Sequence, residues 1–509
     1  MGVPEPLYPE PLYLAPRLDA RLSSLLGSAE FLHGLVDALG SPLNVVLPEQ
    51  ISDNLERFRS VYRRHHLGGE VFFAHKANRS SALVRRFAAT DAAVDAASLG
   101  ELQHVLGAGF TPDRVLATGP KNPEFLWLAA RTGATVNVDG RAELDDLAAL
   151  VRRHGLPRVR ILLRLSEFQG AGSQGAGFQG TGVQVLTRRS RFGSPVREVD
   201  GLLAAVERHR DAVELIGVAY HLDTVGLAEK AVALESCVTV MDECRNRGLQ
   251  PRVIDIGGGF GVNYLADRAQ WERYTTALAD AVLGHRPAMT WRRHGYGLRS
   301  ESGTLRGALG LYPAHRPDAG ERYLDQLLSL PAPTLGRPLA TLLLEHLYDL
   351  WAEPGRALVD QCGLTLARVL EVRRTDAGDW LVRLGMNAGD VSLEEHGVLM
   401  DPVAVPRGGG PAAAEPERAG AEAVGVYLAG NLCLEADLIT RRMVFLPRLP
   451  RPGDLMGFAN TAGYCMDFRA DHAQQQPVAR KVAAWQQAGS WRWCLDEEYW
   501  PITRPGGQA

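Results

Sequence analysis

The stretch Val71-Phe72-Phe73-Ala74-His75-Lys76-Ala77-Asn78 decides the fold prediction, because it carries an apolar run directly into a lone amine. Its β-branched and aromatic residues predict a buried parallel strand, with Lys76 at the C-terminal end of that strand. An amine that is partly desolvated there loses some preference for its charged form, and it can attack a carbonyl to form a Schiff base. The alternative is a lysine that closes a strand and points to water. The rest of the chain favours the first interpretation.

Short apolar strands alternate with amphipathic helices around this stretch, from about residue 48 to residue 356. The predicted strands include Val71 to Ala74, Ala93 to Ala96, Val115 to Thr118, Thr135 to Val138, Val159 to Leu165, Leu215 to His221 and Val253 to Ile256. Repeated strand–helix units of this length predict an α/β fold, a (β/α)8 or TIM barrel, in which functional residues lie at the C-terminal ends of the strands. A doubly wound open sheet gives a similar pattern, and periodicity alone does not separate the two.

The chain outside this region predicts a second domain. Residues 357–509 carry strand-like runs separated by Gly/Pro turns and predict a mostly β C-terminal domain, with the N-terminal segment 1–47 packing against it. Two insertions are expected in the barrel: a glycine-rich mobile surface loop near 169–182, and an arginine-bearing segment near 285–338. The second insertion either covers the site or forms an irregular surface excursion. A disordered loop is expected near 404–422, which is rich in Pro, Ala and Gly.

The composition narrows the class of protein. A chain of 509 residues with 46% hydrophobic residues can bury large cores. A formal net charge of −4 argues against nucleic acid or an anionic membrane as the main partner. No apolar run is long enough to span a bilayer, and the N-terminus shows no signal-peptide pattern. The six cysteines lack metal-ligand spacing and fit the reduced thiols of a cytoplasmic enzyme better than a disulfide framework.

Two motifs predict a site for a phosphorylated ring. The strand from Val253 runs into Gly257, Gly258 and Gly259, whose backbone N–H groups can approach a phosphate, although glycines also mark ordinary tight turns. Glu353-Pro354-Gly355-Arg356 places a carboxylate and a guanidinium three residues apart. They are either a structural ion pair, or a carboxylate for a protonated ring nitrogen beside an arginine for a phosphate.

Other candidates are weaker when taken alone. His221 ends a predicted strand and is either a core histidine or a ring that lies against a cofactor. Arg164 also ends a strand and is either a salt-bridge partner or a donor to a phenolic oxygen. The turn 430–437 of the β domain concentrates a thiol and two carboxylates, although a buried structural cysteine is the commoner role. These three residues are Cys433, Glu435 and Asp437.

Taken in this order, the motifs resemble the fold-type III pyridoxal-phosphate-dependent decarboxylases, and most of all the diaminopimelate and ornithine decarboxylase group. The likeness extends from about Pro42 to Phe468. The motifs that carry it are HKAN at Lys76, VDAASLGEL from Val94, TGPKNPEFL from Thr118, VNVDGRAEL from Val136, SRFG from Ser190, HLDT from His221, DIGGGFG from Asp255, EPGR from Glu353, CLEAD from Cys433 and AGY from Ala462.

The resemblance implies a barrel of the alanine racemase type plus a β domain, with pyridoxal 5'-phosphate on Lys76. It implies that His221 stacks on the cofactor ring, that Glu353 pairs with the pyridine nitrogen and that Arg164 lies near the phenolic oxygen. Asp95 occupies the acidic position of the family after the second strand. The phosphate ligands that the resemblance implies are Gly257, Gly258, Gly259, Arg356, Thr224 and Tyr464.

The resemblance also implies a reaction and a partner. Such enzymes are generally head-to-tail homodimers, in which Cys433 and Asp437 reach the site of the partner subunit. The implied reaction is decarboxylation of an amino acid through a Schiff base and a quinonoid intermediate, with Cys433 or Lys76 returning the proton. Two alternatives stay open. A racemase on the same fold is one, although alanine racemases place an arginine where Glu353 stands. A non-catalytic regulatory relative is the other, although the lysine, the glycines and Arg356 are all present.

Departures from the family pattern bear on the substrate. Asp223-Thr224 replaces the usual Gly-Ser, Leu384-Gly385-Met386-Asn387 replaces the usual Asp-Gly strand, and the order is Ala-Gly-Tyr rather than Gly-Ala-Tyr at Tyr464. The acid that normally follows the cysteine directly is Leu434 here, and Glu435 comes one position later. Because that acid ordinarily reads a distal amino group, a simple diaminopimelate or ornithine substrate is in doubt. The arginines near 285–338 could instead recognise a bigger or carboxylated substrate, and the substrate expected is an amino acid with a polar or carboxylated side chain.

Overall fold

The computed structural model describes residues 11–168, 190–222, 226–408 and 423–501. Its helices are α1 (Ala20–Leu26), α2 (Ala29–Leu39), α3 (Pro48–Arg64), α4 (Ser81–Ala88), α5 (Leu99–Gly107), α6 (Pro123–Thr132), α7 (Arg141–His154), α8 (Val199–Arg208), α9 (Leu227–Asn246), α10 (Arg268–Leu283), α11 (Glu321–Ser329) and α12 (Leu339–Glu345).

Its first twelve strands are β1 (Leu43–Val46), β2 (Gly69–Ala74), β3 (Ala93–Ala96), β4 (Val115–Ala117), β5 (Thr135–Val138), β6 (Val159–Ser166), β7 (Ser194–Pro195), β8 (Val213–Tyr220), β9 (Val253–Asp255), β10 (Leu298–Glu301), β11 (Thr304–Gly307) and β12 (Asp349–Ala352). The remaining strands are β13 (Gly363–Arg374), β14 (Trp380–Leu384), β15 (Val403–Val405), β16 (Val424–Ala429), β17 (Leu438–Leu446), β18 (Leu455–Ala459), β19 (Arg480–Gln487) and β20 (Ser490–Leu495).

Eight parallel strands close into a barrel. They follow one another around the sheet in the order β5, β4, β3, β2, β12, β9, β8 and β6, and β5 pairs again with β6 to complete the ring. In that closing pair Val136 lies opposite Ile161. The predicted TIM barrel is therefore confirmed, and the doubly wound open sheet is wrong because such a sheet would leave two unpaired edges.

Side chains from the strands fill the barrel. One buried cluster contains Phe72, Ala93, Leu116, Leu162, Ala219 and Val253. These residues come from six strands, which is typical of the layered interior of such barrels. The outer helices begin where side chains satisfy free N–H groups: Ser80, Ser98 and Asn122 each accept the backbone N–H three residues further on.

The chain divides into two compact units. The barrel unit contains residues 51–261 and 318–358, together with the few described residues from 500 on, and the β unit contains the described residues of 1–50, 262–317 and 359–499. The strand–helix pattern of the sequence predicts that all of 48–356 belongs to the barrel. The difference lies in 262–317, and it has a tertiary cause: Thr290 bridges Arg442 of β17, and the N–H of Met443 donates to the carbonyl of Met289.

The β unit is organised around β13. This long strand pairs antiparallel with β1, β14 and β18, and β1 also pairs in parallel with β19. Leu43 of β1 thus lies between Leu366 and Arg480. The N-terminal segment consequently contributes a strand to the sheet of this unit.

The segment near 285–338 is not one continuous insertion. Its first part forms the β10–β11 hairpin of the β unit, and its last part contains α11 of the barrel unit. Helix α11 buries Tyr323, Leu324, Leu327 and Leu328. An apolar face of this size gives the helix a place in the barrel unit, so part of the segment is regular structure. Whether the segment covers the site stays a prediction.

The two predicted loops fall largely outside the described residues. The glycine-rich loop near 169–182 lies wholly outside them, as does 409–422 of the loop near 404–422. The start of the second loop is corrected, because Ala404 and Val405 belong to β15, where they pair with β18. In the described part of the chain, no helix is long and apolar enough to cross a membrane.

Candidate active site

The candidate residues of the barrel unit gather at one end of the barrel. Lys76 lies in the short 3-10 turn His75–Ala77 directly after β2, and Asp95 is part of β3. His221 follows β8 by one residue, and Glu353 follows β12 by one residue. Since all eight strands are parallel, their C-terminal ends open at the same mouth.

Lys76 is held by a buried carboxylate. Its Nζ donates to Oδ2 of Asp95 at 3.3 Å, and Asp95 is 1% exposed. The hydroxyl of Thr118, at the end of β4, donates to Oδ1 of the same carboxylate. Because the Lys76 side chain is still 37% exposed, the amine is anchored and accessible at once. This arrangement suits a nucleophile that must meet a carbonyl arriving from solvent.

Two further buried carboxyl groups, those of Asp255 and Glu353, lie next to each other. Asp255 of β9 is fully buried, and its Oδ1 accepts the N–H of Gly257 at 2.9 Å. Burial raises the pKa of Asp255 to about 6. Burial, and then the charges of Asp255 and Asp95, raise the pKa of Glu353 well above its usual range. Two neighbouring acids in a desolvated site cannot both ionise cheaply, so burial and mutual repulsion both favour a proton on the pair.

His221 is held as a neutral ring. Its Nδ1 accepts the N–H of Gly258 at 3.2 Å and lies 4.0 Å from Oε2 of Glu353. Burial, assisted by the positive charges of Lys76 and Arg164, lowers the pKa of His221 to about 3. The accepting Nδ1 places the proton of the neutral ring on Nε2.

The glycine loop after β9 presses against His221 and Glu353. A Cβ atom on Gly258 would lie 2.9 Å from the carbonyl oxygen of Glu353 and 3.2 Å from Cε1 of His221. Gly257 has φ +61°, and a Cβ there would lie 2.5 Å from the carbonyl oxygen of Tyr220. Side chains therefore do not fit at these two positions, and only bare backbone can be presented to a ligand.

Two arginines complete the barrel candidates. Nη1 of Arg164 lies 3.4 Å from Oδ1 of Asp139, and its guanidinium lies 4.9 Å from the centre of the Phe192 ring. Arg356 is half-buried and lies three residues after Glu353, at the end of the same loop. Arg164 is therefore a salt-bridge partner, which is one of the two interpretations of this residue. The other interpretation, a donor to a phenolic oxygen, stays a prediction.

The remaining candidates belong to the β unit, except Thr224, which lies outside the described residues. Cys433 is exposed, and its N–H donates to Oε1 of Gln474 at 2.8 Å. The interpretation of Cys433 as a buried structural cysteine is wrong, because the thiol sits on an exposed turn. Glu435 is exposed and pairs with Nη2 of Arg292 at 3.5 Å. Tyr464 is half-buried, with φ +69°.

Asp437 has a structural role within the β unit. Its carboxylate is buried and accepts the N–H groups of Ala388 and Leu432, each at 2.8 Å. These bonds fix the turn that carries Cys433 and Glu435. A role for Asp437 in substrate binding stays a prediction.

Sequence reasoning missed Asp255 and Thr118. Asp255 carried a signal, because a charged residue inside the apolar run Val253–Ile256 needs a buried partner. Thr118 carried a weaker signal, as a hydroxyl directly after β4. The contacts of both residues are made to neighbouring strands, because Thr118 reaches Asp95 of β3 and Asp255 lies beside Glu353 at the end of β12.

The comparisons with known proteins place the chain in a family. The family described as "pyridoxal-dependent decarboxylase, pyridoxal binding domain" matches residues 49–304, just over half of the chain. The chain therefore belongs to the family of pyridoxal-dependent decarboxylases. The resemblance seen in the sequence is confirmed, and so is the cofactor, pyridoxal phosphate.

Individual relatives agree with this assignment. The uncharacterized protein y4yA of Sinorhizobium fredii is 29% identical over 459 residues, which is 88% of this chain and 89% of that protein. The diaminopimelate decarboxylase of Methanothermobacter thermautotrophicus is 31% identical over 249 residues, or 47% of this chain and 54% of that enzyme. A crystal structure of diaminopimelate decarboxylase from M. jannaschii has the same fold, with a TM-score of 0.65, 17% identity, and coverage of 91% of this chain and 90% of that chain.

The residues of the barrel mouth fit this cofactor. Three buried carboxyl groups lie in the mouth: Asp95 accepts from Nζ of Lys76, and Glu353 feels the charges of Lys76, Asp255 and Asp95. This excess of acid suits a protonated pyridine nitrogen. The glycine loop offers the close backbone approach that a phosphate requires. The donor set therefore matches both charged ends of pyridoxal phosphate.

Proposed function

We propose that this enzyme decarboxylates an amino acid with a polar or carboxylated side chain, with the cofactor bound covalently through Nζ of Lys76. The observation that carries the proposal is the buried Glu353 carboxyl beside Asp255 in the barrel mouth. When bound, pyridoxal phosphate supplies an electron sink for the electrons that remain after carbon dioxide leaves. A carboxylate at the ring nitrogen favours that sink, whereas an arginine, as in the alanine racemases, disfavours it.

Each residue of the mouth has a role in this proposal. Asp95 holds the Lys76 ammonium until the amine is needed, and either the Cys433 thiol or Nζ of Lys76 then supplies the proton that replaces carbon dioxide. Glu353 donates or accepts the proton of the ring nitrogen, and the neutral His221 imidazole lies against the ring. Arg164 donates to the phenolic oxygen. The phosphate ligands in the proposal are Gly257, Gly258, Gly259, Arg356, Thr224 and Tyr464.

We propose that the enzyme is a homodimer in which Cys433 and Asp437 serve the partner subunit. The exposure of Cys433 supports this role, because a thiol that delivers a proton across an interface must lie at the surface of its own subunit. Coexpression of Lys76→Ala and Cys433→Ala chains tests it. Heterodimers would contain one intact site, so activity should return to about a quarter of the wild-type value. A mixture that is no more active than the two variants separately would contradict shared sites.

The contacts of the turn 430–437 favour a substrate with a carboxylated or polar side chain. Glu435 is paired with Arg292, so its negative charge is partly offset. An offset charge attracts a distal substrate ammonium less than a free carboxylate does. In the proposal, Arg292 instead attracts an acidic or polar end group. A cytoplasmic location also stays a prediction, which the sparse cysteines and their lack of metal-ligand spacing support.

A substrate screen tests the proposed reaction. The purified enzyme with pyridoxal phosphate is incubated with single amino acids, and carbon dioxide and amine products are measured by mass spectrometry. We expect release of carbon dioxide with a matching amine, and the best substrate to carry a polar or acidic side chain. Loss of optical rotation without carbon dioxide would instead establish a racemase. A protein that gains no visible absorption band with added cofactor would be a regulatory relative.

A further inference from the structure

Lys230 is a buried amine that the proposed function does not yet use. It lies in the first turn of α9, and its side chain is fully buried. Its Nζ donates to the carbonyl oxygen of Gly258, in the glycine loop of the mouth. The same Nζ lies 4.9 Å from the centre of the Phe260 ring and 5.3 Å from that of Tyr323. Two aromatic faces stabilise a cation only partly.

The charge environment of Lys230 sets it apart from the other lysines. The chain has only four, and three pair with a carboxylate: Lys76 with Asp95, Lys121 with Glu143 and Lys481 with Asp467. Within the described ranges, Lys230 has no carboxylate partner. Burial accordingly lowers its pKa to about 7. A buried ammonium without a counter-ion is costly, and a nearby anion would stabilise its charged form.

The bond from Lys230 orients the glycine loop. In a trans peptide unit the carbonyl and the following N–H point in opposite directions. Because the Gly258 carbonyl points at Lys230, the N–H of Gly259 is directed away from α9. The N–H of Gly258 is already taken by His221. Lys230 therefore determines which backbone donor of the loop is available to a ligand.

We propose that Lys230 is a positioning residue for the cofactor phosphate: it anchors the Gly258 carbonyl so that the Gly259 N–H is presented to the phosphate, and its ammonium supplies positive charge behind the loop. A phosphate dianion then provides the counter-charge that the described protein residues do not. The positive charge of Lys230 is also felt at His221, which places the amine electrically close to the mouth. This inference rests on the proposed cofactor site.

The test compares two ligands that differ only in the phosphate. Apoprotein of the wild type and of Lys230→Met is titrated with pyridoxal phosphate and with unphosphorylated pyridoxal, and each dissociation constant is measured from absorbance. Methionine has a similar length but neither donor nor charge. We expect the affinity for pyridoxal phosphate to fall by about 10-fold or more, and that for pyridoxal to change less than about 2-fold. Equal losses for both ligands, or no loss, would overturn the proposal.

Lys121→Met is the matched control. Nζ of Lys121 donates to Oε1 of Glu143 and to the carbonyl oxygens of Gly119 and Asn137, at 2.7 to 2.8 Å, so this buried lysine is satisfied within the protein. Its loss should lower the thermal midpoint without changing the ratio of the two affinities. If Lys230→Met does not fold, Lys230→Gln takes its place, because glutamine keeps a hydrogen-bond donor and loses the charge. An unchanged ratio of the pyridoxal phosphate affinity to the pyridoxal affinity in Lys230→Gln would overturn the proposal. Wild-type protein that binds neither ligand would refute the cofactor site itself.

Discussion

Lys76→Ala is expected to lower the rate of carbon dioxide release by at least about 10⁴-fold and to abolish the visible absorption of the bound cofactor. The physical reason is that only a primary amine can form the covalent link and then return a proton from the same atom. Among the four lysines of the chain, Lys76 alone combines exposure at the mouth with a buried carboxylate that anchors it. The rate is measured with the substrate that the screen identifies, and the absorption by spectroscopy.

Two controls separate chemistry from folding in this experiment. Lys76→Arg keeps a positive charge beside Asp95 but cannot form the covalent link, so it should keep the fold and lose activity to a similar extent. Lys481→Ala removes a lysine of the β unit whose partner is Asp467, and it should keep the absorption band. An active Lys76→Ala enzyme with an unchanged absorption band would show that the cofactor is linked to a different amine.

Glu353→Gln is expected to move stability and catalysis in opposite directions. Catalysis should fall by about 10²–10³-fold, because the ring nitrogen loses the carboxylate that keeps it protonated. The apoprotein should become more stable at pH 8, by about 1–3 kcal/mol, because a buried acid next to Asp255 and Asp95 is removed. The measurements are the substrate turnover rate and the free energy of unfolding of the apoprotein in denaturant.

The stability difference between the wild type and Glu353→Gln should change with pH in one direction. Burial raises the pKa of Glu353 well above its usual range, and that of Asp255 to about 6. As the pH rises from about 4, the unfolded chain loses these protons first, so the folded apoprotein holds more protons and becomes less stable. Each unit of pKa difference is worth about 1.4 kcal/mol. The stabilities of wild type and Glu353→Gln should therefore converge near pH 4 and diverge as the pH rises toward 8.

Glu143→Gln is the matched control for this prediction. Glu143 is a half-buried acid of the barrel unit that pairs with the Lys121 ammonium at 2.8 Å. Its replacement leaves a buried lysine without its carboxylate and should destabilise the apoprotein at pH 8. If Glu353→Gln behaves like Glu143→Gln, then Glu353 is a structural ion-pair partner rather than an acid held for the cofactor.

The sequence predicted the barrel and its functional end well, for local physical reasons. Strands such as Val71 to Ala74 and Thr135 to Val138 are continuous apolar runs, because parallel strands are buried on both faces. Lys76, His221 and Glu353 directly follow such runs, so their common end of the barrel follows from the fold class alone. What local patterns could not show was closure, which depends on the long-range pairing of β2 with β12, where Leu350 lies opposite Gly69.

The parts that escaped prediction depend on tertiary contacts. Residues 262–317 join the β unit through their contacts with β17, which lies far away in sequence. Lys230 stands in a helix that has the composition of an ordinary surface helix, and only the position of the glycine loop shows that its amine is buried. The oxygens of Asp437 accept two backbone N–H groups, a structural contact that the spacing of the turn did not reveal, and its role toward substrate stays a prediction. Spacing alone does not distinguish these roles.

The most direct measurement is reductive trapping of the cofactor. Wild-type enzyme with bound pyridoxal phosphate is treated with borohydride, digested and mapped by mass spectrometry, with four lysine-bearing positions to distinguish. The account predicts a single phosphopyridoxyl label, on the peptide that contains Lys76. A label on Lys121, Lys230 or Lys481 in place of Lys76, or the absence of any label, would contradict it.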